Sequence, residues 1–252
     1  MSAGRGHRPL VVGHRGSPGA APENTMAAFR LAAEAGADMI ELDVRMTRDG
    51  ELVVHHDRRL GRTSDGKGRI RALSLADVRS ADAGAWYGRR FRGERIPTLG
   101  EVFTALPRAV GIDIEVKTDG DRRRSALMAR TLCRAVHRAH RRESVVISSF
   151  DHGFLRRVRR LDPALRLGVL YVPVRDRFRS AAEIARRSGA CMFICSRNQL
   201  RRRHLREAHE AGLTVAVYGV NTADAASAAA RAGVDALISD HPGRILRALT
   251  TS

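Results

Sequence analysis

Residues 39–44 read MIELDV, and residues 111–117 repeat the same alternation as GIDIEVK. In an extended strand, successive side chains point to opposite faces. One face of each stretch then carries branched apolar side chains, and the other face carries carboxylates. The apolar face predicts contact with covering helices, so the acidic face should point into the space that the strands enclose. The acidic side chains concerned are Glu41, Asp43, Asp113 and Glu115.

Six further β-type segments accompany these two, and helix-like segments rich in Ala, Leu and Arg separate them. Strands that alternate with helices predict a parallel sheet built from βαβ units. Eight strands in 252 residues fit a closed barrel better than an open sheet. The sequence therefore predicts an α/β fold of the TIM (β/α)8 barrel type. The predicted strands are residues 10–13, 39–44, 111–116, 144–148, 165–170, 191–195, 214–218 and 236–238.

One interval, residues 57–97, interrupts this rhythm because it contains no clean strand–helix unit. It begins with a loop-like run at residues 62–68 and later contains Trp86 and Tyr87. We interpret it as an insertion after the second strand of a single catalytic barrel domain that spans residues 1–252. Long loops in compact domains are commonly functional, so the insertion is either a lid or specificity element or a packing excursion without a role.

The formal net charge is +18, and nearly all of it comes from arginine because Lys67 and Lys117 are the only lysines. Such a charge attracts anionic partners. The basic residues are scattered over helix-like segments, however, and are not interleaved with aromatic residues as in a nucleic-acid platform. We expect a weak attraction to anionic surfaces and no specific nucleic-acid partner, with codon bias toward arginine as the competing explanation.

The remaining composition excludes several classes of protein. No apolar run approaches the length of a transmembrane segment. The 3 cysteines lack CxxC spacing, which argues against a disulfide framework and a structural zinc site. A cytoplasmic location is the simplest expectation.

The inward carboxylates are the feature of this sequence that most requires a physical explanation. Branched apolar side chains normally fill a barrel interior, and several carboxylates there would repel one another and lose solvation. A cation at the open rim would neutralise them, and oxygen ligands favour Mg²⁺ or Ca²⁺ over zinc. The competing interpretation is that a carboxylate such as Glu115 or Asp113 forms a structural ion pair with Lys117. This interpretation is favoured for Asp113, which lies deeper in its strand than Glu115.

Two histidines fall at strand–loop junctions near the carboxylates. His14 closes the first strand, and His56 follows a short β-type run at residues 52–54. Histidine exchanges protons readily near neutral pH, and the nearby Arg15 and Lys117 offer positive charge to a phosphate. A divalent cation, two cationic side chains and two imidazoles suit an anionic substrate whose negative charge grows in the transition state.

At these residues the chain resembles the glycerophosphodiester phosphodiesterase family. The resemblance covers nearly the whole chain, and the order and spacing of the motifs follow the family through the third barrel strand. Later motifs match more loosely. The matching stretches are His14-Arg15-Gly16, Pro22-Glu23-Asn24-Thr25, Glu41-Leu42-Asp43-Val44, His56-Asp57, residues 62–68, Ile96-Pro97-Thr98-Leu99, Glu115-Val116-Lys117, Ser148-Ser149-Phe150, Val220-Asn221 and residues 233–242.

The resemblance implies a TIM barrel with an inserted segment after the second strand. It also implies hydrolysis of glycerophosphodiesters, such as glycerophosphocholine or glycerophosphoethanolamine, to glycerol 3-phosphate and an alcohol. One divalent ion, Mg²⁺ or Ca²⁺, is the implied cofactor. By resemblance, the metal ligands are Glu41, Asp43 and Glu115, the general acid/base pair is His14 and His56, the phosphate-binding groups are Arg15 and Lys117, the supporting residue is Glu23, and the cap of the first helix is Asn24 or Thr25.

Several points stay open on the sequence alone. Tyr218 and Gly219 stand before Val220-Asn221, where the family often has Trp, and this departure bears on how the glycerol or alcohol is packed. Either histidine fits the role of acid or base, and the nucleophile is either water or the substrate's own glycerol hydroxyl. The alternatives are a lysophospholipase-D-like or sphingomyelinase-like enzyme and, more distantly, a non-enzymatic barrel that binds anionic polymers.

Overall fold

The structure, a computed structural model, describes residues 8–250 and forms a closed barrel of parallel strands. The strands are β1 (Leu10–Gly13), β2 (Met39–Met46), β3 (Leu52–Val54), β4 (Gly111–Val116), β5 (Val145–Ser149), β6 (Arg166–Leu170), β7 (Met192–Ser196), β8 (Thr214–Tyr218) and β9 (Ala236–Ser239). Eight of them follow one another in chain order around the barrel, and β1 closes it by pairing with both β2 and β9. The extra strand, β3, runs antiparallel to the end of β2. The TIM barrel prediction is confirmed.

Helices follow the strands and surround the barrel. Several begin at a residue whose side chain accepts a backbone N–H of the first turn, as at Thr98 and Asp151, which satisfies a donor that the helix leaves unpaired. Within residues 8–250, no helix is both long and apolar enough to cross a membrane. The helices are α1 (Met26–Glu34), α2 (Leu75–Arg79), α3 (Leu99–Ala105), α4 (Arg122–Arg138), α5 (His152–Leu161), α6 (Pro173–Asp176), α7 (Ala181–Ser188), α8 (Arg202–Glu210), α9 (Ala223–Arg231) and α10 (Pro242–Thr250).

The alternation of the strands sorts their side chains into two apolar layers. The outward residues, such as Ile40 and Leu42 of β2, pack against helices in the main core, which includes Phe29 and Phe154. The inward residues form a smaller cluster inside the barrel, and Met39 belongs to it. Because Met39 shares a face with the acidic residues of β2, this cluster places those carboxylates inside the barrel, above its apolar floor.

Residues 57–97 cover one side of the barrel mouth with an apolar cluster of their own. Leu60, Ile70 and Ile96 pack there against Val53 of β3. The later part of the segment is tied to the loop after β1: Tyr87 Oη donates to the carbonyl of residue 18 at 3.0 Å, and the Arg90 guanidinium donates to that of residue 20 at 3.0 Å. Loops after barrel strands lie at the carboxyl ends of the strands, so the segment stands beside the face where the acidic residues emerge.

Candidate active site

Three carboxylates, the acidic triad, meet near the carboxyl ends of two neighbouring strands. Glu41 and Asp43 project from β2 and Glu115 from β4, and the parallel register sets Asp43 directly beside Glu115. One oxygen of each carboxylate lies within 4.8 Å of the others. Glu41 and Asp43 are buried, and Glu115 is partly buried. Because each of these oxygens can act as a ligand atom, the arrangement is able to hold one cation.

Burial and mutual repulsion disfavour full ionisation of the triad. Burial raises the pKa of Glu41 to about 7, and the charge of Asp43 adds to the rise. The pKa of Glu115 is also raised to about 7, by burial first and by Asp43 second. Burial also opposes the ionisation of Asp43, but Lys117 and Arg15 outweigh it and lower the pKa of Asp43. The protein therefore holds carboxylates that an added positive charge would stabilise.

The carboxylate oxygens of this site are suitable ligands for a hard divalent cation. Arg15 Nε lies 3.2 Å from Asp43 Oδ2, and Lys117 Nζ lies 3.1 Å from Asp43 Oδ1. Lys117 also pairs with Glu115, so two cationic side chains face three carboxylates. Among the described residues, the buried Oε1 of Glu41 has no hydrogen-bond partner. An all-oxygen set with uncompensated charge and an unpaired oxygen is typical of a site for Mg²⁺ or Ca²⁺.

Asp113 lies beside Glu41 in the register, two residues deeper in β4 than Glu115. The ion pair predicted between Asp113 and Lys117 is wrong, because Lys117 pairs at the rim with Glu115 and Asp43. The Lys117 ammonium group thus lies at the level of Asp43 and Glu115, one step nearer the rim than Asp113. Burial raises the pKa of Asp113 to about 7, so this carboxyl is readily protonated inside the barrel.

His14, immediately after β1, is oriented by a carboxylate from the other end of the chain. Its Nδ1 atom lies 2.6 Å from Asp240 Oδ1, and its Nε2 atom lies 4.0 Å from Glu41 Oε2. Asn221 in turn holds Asp240, because its amide donates to Asp240 Oδ2 at 2.7 Å and its oxygen accepts the Asp240 N–H at 2.9 Å. Burial opposes protonation of His14, but Asp240 and Glu41 outweigh it and raise its pKa.

His56, two residues beyond β3, shows the same arrangement with a different carboxylate. Its Nδ1 atom lies 2.7 Å from Asp57 Oδ1. The Arg45 guanidinium donates to the His56 carbonyl from two nitrogens, at 2.8 and 2.7 Å, and so fixes the backbone. Burial lowers the pKa of His56, although Asp43 and Asp57 act in the opposite direction. In both histidines Nδ1 is engaged, which leaves Nε2 as the nitrogen that can face a substrate.

Arg62 connects the segment 57–97 to both sides of the site. Its Nε atom donates to Asp57 Oδ2 at 2.7 Å, and its two terminal nitrogens donate to the two oxygens of Glu23 at 3.0 and 2.7 Å. Glu23 also accepts a bond of 2.8 Å from Arg15. Burial opposes the ionisation of Glu23, but Arg62 and Arg15 outweigh it and lower its pKa. Glu23 thus lies in the site and links two arginines without touching the triad.

The turn after β1 uses strained backbone to aim Arg15. This residue has φ of 49°, a left-handed conformation that side chains other than glycine rarely adopt. Its backbone N–H donates to Glu41 Oε2 at 2.8 Å, and its guanidinium faces Asp43. Gly16 follows with φ of 89°, and a Cβ atom there would lie 2.6 Å from the Ala28 carbonyl carbon of α1. The close approach of α1 therefore requires glycine at this position.

The sequence left the cap of the first helix to either Asn24 or Thr25, and the structure gives these two residues different roles. Thr25 is the N-cap of α1, since its hydroxyl accepts the N–H of Ala28 at 3.3 Å. Asn24 instead clamps Asp43: its amide donates to Asp43 Oδ2 at 2.8 Å, and its oxygen accepts the Asp43 N–H at 3.2 Å. Asn24 has φ of 58°, so the turn holds it in a left-handed conformation that directs its side chain to the triad.

The sequence analysis gave no individual role to four residues that the structure places at the site. They lay within or beside the matching motifs, but the pattern alone indicated no partner for them. The available signal was position: a carboxylate that follows a barrel strand at its carboxyl end commonly serves a site, and Asp240 does so directly after β9. These residues are Asp57, Arg62, Asn221 and Asp240.

Comparisons with known proteins agree with this geometry. The sequence profile of the glycerophosphoryl diester phosphodiesterase family matches residues 14–244. A glycerophosphodiester phosphodiesterase of Caldanaerobacter subterraneus subsp. tengcongensis is 42% identical over 170 residues, which are 65% of this chain and 67% of that protein. The Bacillus subtilis protein YhdW is 33% identical over 237 residues, which are 94% of this chain and 96% of its own length.

Solved structures show the same fold. An Oleispira antarctica phosphodiesterase in complex with the product sn-glycerol-3-phosphate superposes with a TM-score of 0.89 at 28% identity, covering 96% of this chain and 97% of that one. The family profile spans nearly the whole barrel, from His14 at the end of β1 to the first turn of α10. The chain therefore belongs to the glycerophosphoryl diester phosphodiesterase family of enzymes, as its motifs predicted.

Proposed function

We propose that this chain hydrolyses glycerophosphodiesters, such as glycerophosphocholine or glycerophosphoethanolamine, to glycerol 3-phosphate and an alcohol. The observation that carries the proposal is the acidic triad, whose ligand oxygens lie within 4.8 Å of one another, beside two imidazoles that carboxylates orient. The Oleispira antarctica relative binds sn-glycerol-3-phosphate as its product, which supports the same product here. The proposed partner is a small molecule and not a nucleic acid.

Glu41, Asp43 and Glu115 would hold one divalent cation, Mg²⁺ or Ca²⁺. When bound, such an ion supplies positive charge to a phosphate oxygen and lowers the cost of the negative charge that develops in the transition state. Arg15 and Lys117 form ion pairs with the triad. The guanidinium group of Arg15 and the ammonium group of Lys117 would bind the remaining phosphate oxygens.

His14 and His56 perform the proton transfers in this proposal. One imidazole accepts a proton from the nucleophile, which is water or the substrate's glycerol hydroxyl, and the other donates a proton to the leaving alkoxide. Asp240 and Asp57 engage the Nδ1 atoms, so the transfers run through Nε2. General acid–base assistance of this kind is typically worth about 10²–10⁴-fold in rate.

We also propose that residues 57–97 are an insertion within one catalytic barrel domain and that they support the site. Arg62 carries this role, because it bridges Asp57 beside one histidine to Glu23 beside Arg15. Glu23 is then a supporting residue that positions two cationic side chains. A specificity role for the same segment would follow from its contact with the loop after β1.

A coupled assay for glycerol 3-phosphate release tests the proposal. Several glycerophosphodiesters are compared in chelator and again after Mg²⁺, Ca²⁺ or Mn²⁺ is restored. We expect activity to disappear in chelator and to return with at least one ion. Release from none of the diesters with any ion would contradict the proposal, and activity on lysolipid micelles without activity on glycerophosphocholine would favour the lysophospholipase-D-like alternative.

A further inference from the structure

Two large apolar side chains stand almost fully in solvent on the connection between β6 and α7. Val174 is 90% exposed and Phe178 is 87% exposed. Val174 belongs to α6, and Arg177 at its end keeps right-handed helical angles. Side chains four residues apart share one side of a helical turn. Both residues therefore stand on one short turn and remain in solvent, although burial of either side chain would be favourable.

This connection lies at the mouth of the barrel. It follows the carboxyl end of β6, the end at which TIM barrels carry their active sites. Arg175 donates to the Phe150 carbonyl at 3.1 Å, and Lys117 Nζ lies 5.7 Å from the centre of the Phe150 ring. A short series of contacts therefore joins the exposed pair to a cationic residue of the proposed active site.

The surroundings of the exposed pair are basic. The guanidinium of Arg177 lies 4.5 Å from the centre of the Phe178 ring. Asp176, the acidic residue of the same turn, is buried and paired with Arg175 and Arg179. Its charge is therefore turned inward, and the outer surface of the turn presents apolar side chains between arginines. Arginines 201–203 stand at the start of α8 on the same end of the barrel.

An anionic lipid surface matches this combination. Apolar side chains enter the boundary between headgroups and acyl chains, and flanking arginines attract anionic headgroups. A second copy of the chain matches it poorly. A stable interface buries roughly 800 Å² and 20–30 residues on each partner, more than two side chains supply, and two copies with a net charge of +18 each would bring like charges together.

We propose that residues 173–179 dock the mouth of the barrel on an anionic lipid surface. This docking goes beyond the proposed function, because it concerns where the enzyme works and not the bond that it hydrolyses. It would present the mouth to phosphodiesters held in or near that surface. The charge supplies the attraction over distance, and Val174 and Phe178 supply short-range insertion.

Sedimentation with vesicles tests the docking without any catalytic readout. The probe is vesicles of phosphatidylglycerol and phosphatidylcholine in equal amounts, with pure phosphatidylcholine vesicles for comparison. The variant V174S/F178S is compared with wild type and with L127S/L161S, which removes partly exposed leucines from α4 and the far end of α5. We expect V174S/F178S to bind anionic vesicles at least about tenfold more weakly, and L127S/L161S to bind like wild type.

Salt and the neutral vesicles separate the two contributions. Wild type should bind the neutral vesicles more weakly, and added salt should weaken its binding to the anionic ones. Equal vesicle binding by wild type and V174S/F178S would overturn the proposal, as would a wild type that does not bind anionic vesicles. A wild-type dimer that V174S/F178S converts to a monomer would assign the patch to a second copy instead.

Measuring the hydrolysis of glycerophosphocholine in free solution distinguishes failure of the docking from failure of the proposed function. V174S/F178S should retain wild-type turnover there, since neither side chain touches the triad or the two histidines. If no chain hydrolyses the soluble diester but vesicle binding depends on Val174 and Phe178, the proposed substrate fails and the docking stands. If the soluble diester is hydrolysed but vesicle binding does not depend on Val174 and Phe178, the docking fails and the proposed function stands.

Discussion

The Nδ1 atom of His14 lies 2.6 Å from a carboxylate oxygen of Asp240, although 226 residues separate the two along the chain. The contact forms because β1 and β9 are neighbours at the closure of the barrel. A carboxylate on Nδ1 fixes the tautomer and orientation of an imidazole, so that Nε2 is presented to the reaction. Asp240 is therefore expected to act through His14 and not through the substrate.

Asp240→Asn should lower kcat by about 10- to 100-fold, since loss of a residue that orients a functional imidazole typically costs that much. KM should change little, because Asp240 lies behind His14. Asp235→Asn is the matched control, as it disturbs a similar pair, with His209 at 2.9 Å, next to the amino end of β9. Steady-state kinetics check this, and an equal loss of kcat in both variants would contradict a positioning role.

His14→Ala and His56→Ala should each lower turnover by about 10²–10⁴-fold. Both side chains are partly exposed at the barrel mouth, so the fold should persist in each variant, as circular dichroism and a thermal melt would show. His209→Ala, which removes an exposed imidazole from the surface, should keep wild-type turnover. Wild-type rates in both site variants would eliminate the proposed acid–base pair.

Glu41→Gln should stabilise the metal-free protein and abolish its response to a divalent ion. The substitution removes a buried charge that Asp43 repels, which we expect to be worth on the order of 2 kcal/mol near neutral pH. Asp113→Asn is the control, because it removes a buried carboxyl beside Glu41 that has a pKa raised to about 7 and is not part of the triad.

Melting temperatures in chelator and in excess Mg²⁺ or Ca²⁺ distinguish these variants. Both should melt higher than wild type in chelator, but only Asp113→Asn should retain a further rise with metal. A retained metal response in Glu41→Gln would argue that the triad does not bind the ion.

Asn24 allows backbone strain to be separated from side-chain bonding. Asn24→Gly keeps the left-handed backbone but loses both hydrogen bonds to Asp43, which should cost about 1–3 kcal/mol. Asn24→Ala loses the same bonds and adds about 1–2 kcal/mol of strain at φ of 58°. Urea unfolding of both variants measures the difference. Equal stability would show that the turn relaxes to a right-handed conformation.

Asp162, at the C-terminal end of α5, makes the stability of the fold depend on pH, and it lies away from the active site. Burial opposes its ionisation, but the Ala164 N–H, His137 and Arg142 outweigh it and lower its pKa. A carboxyl whose pKa is lower in the folded than in the unfolded protein stabilises the fold above its unfolded value, which is about 3.9. That stabilisation is lost as the pH falls through the folded value.

Asp162→Asn should therefore be less stable than wild type at pH 7, by about 1.5–3 kcal/mol for lost bonds to a charged group. The difference in the free energy of unfolding should shrink below about pH 4. Chemical unfolding across this range measures it. A difference that stays constant as the pH falls would show that the charge of Asp162 contributes nothing.

Local patterns determined the barrel and the identity of most candidate site residues. Each barrel strand lies within two residues of its predicted bounds. The reason is that side chains alternate every two residues along a strand, so about six residues are enough to show the pattern. The same period predicted that Glu41, Asp43 and Glu115 share the inner face, and the motifs predicted the family, which is confirmed. Short helices such as α2 and α6 contain 5 and 4 residues, too few for a helical period to show.

Only the tertiary structure decided which groups become partners. Asp240 contacts His14 because the barrel closes between β1 and β9. Arg62 joins Glu23 to Asp57 because of the path of a long loop. Asn24 does not cap the first helix but bonds to Asp43. Lys117 likewise pairs with the nearer carboxylates and not with Asp113. The physical reason is that alternation assigns a side chain to a face, whereas a hydrogen bond depends on position to within a few tenths of an ångström, and that position is set by how distant segments pack.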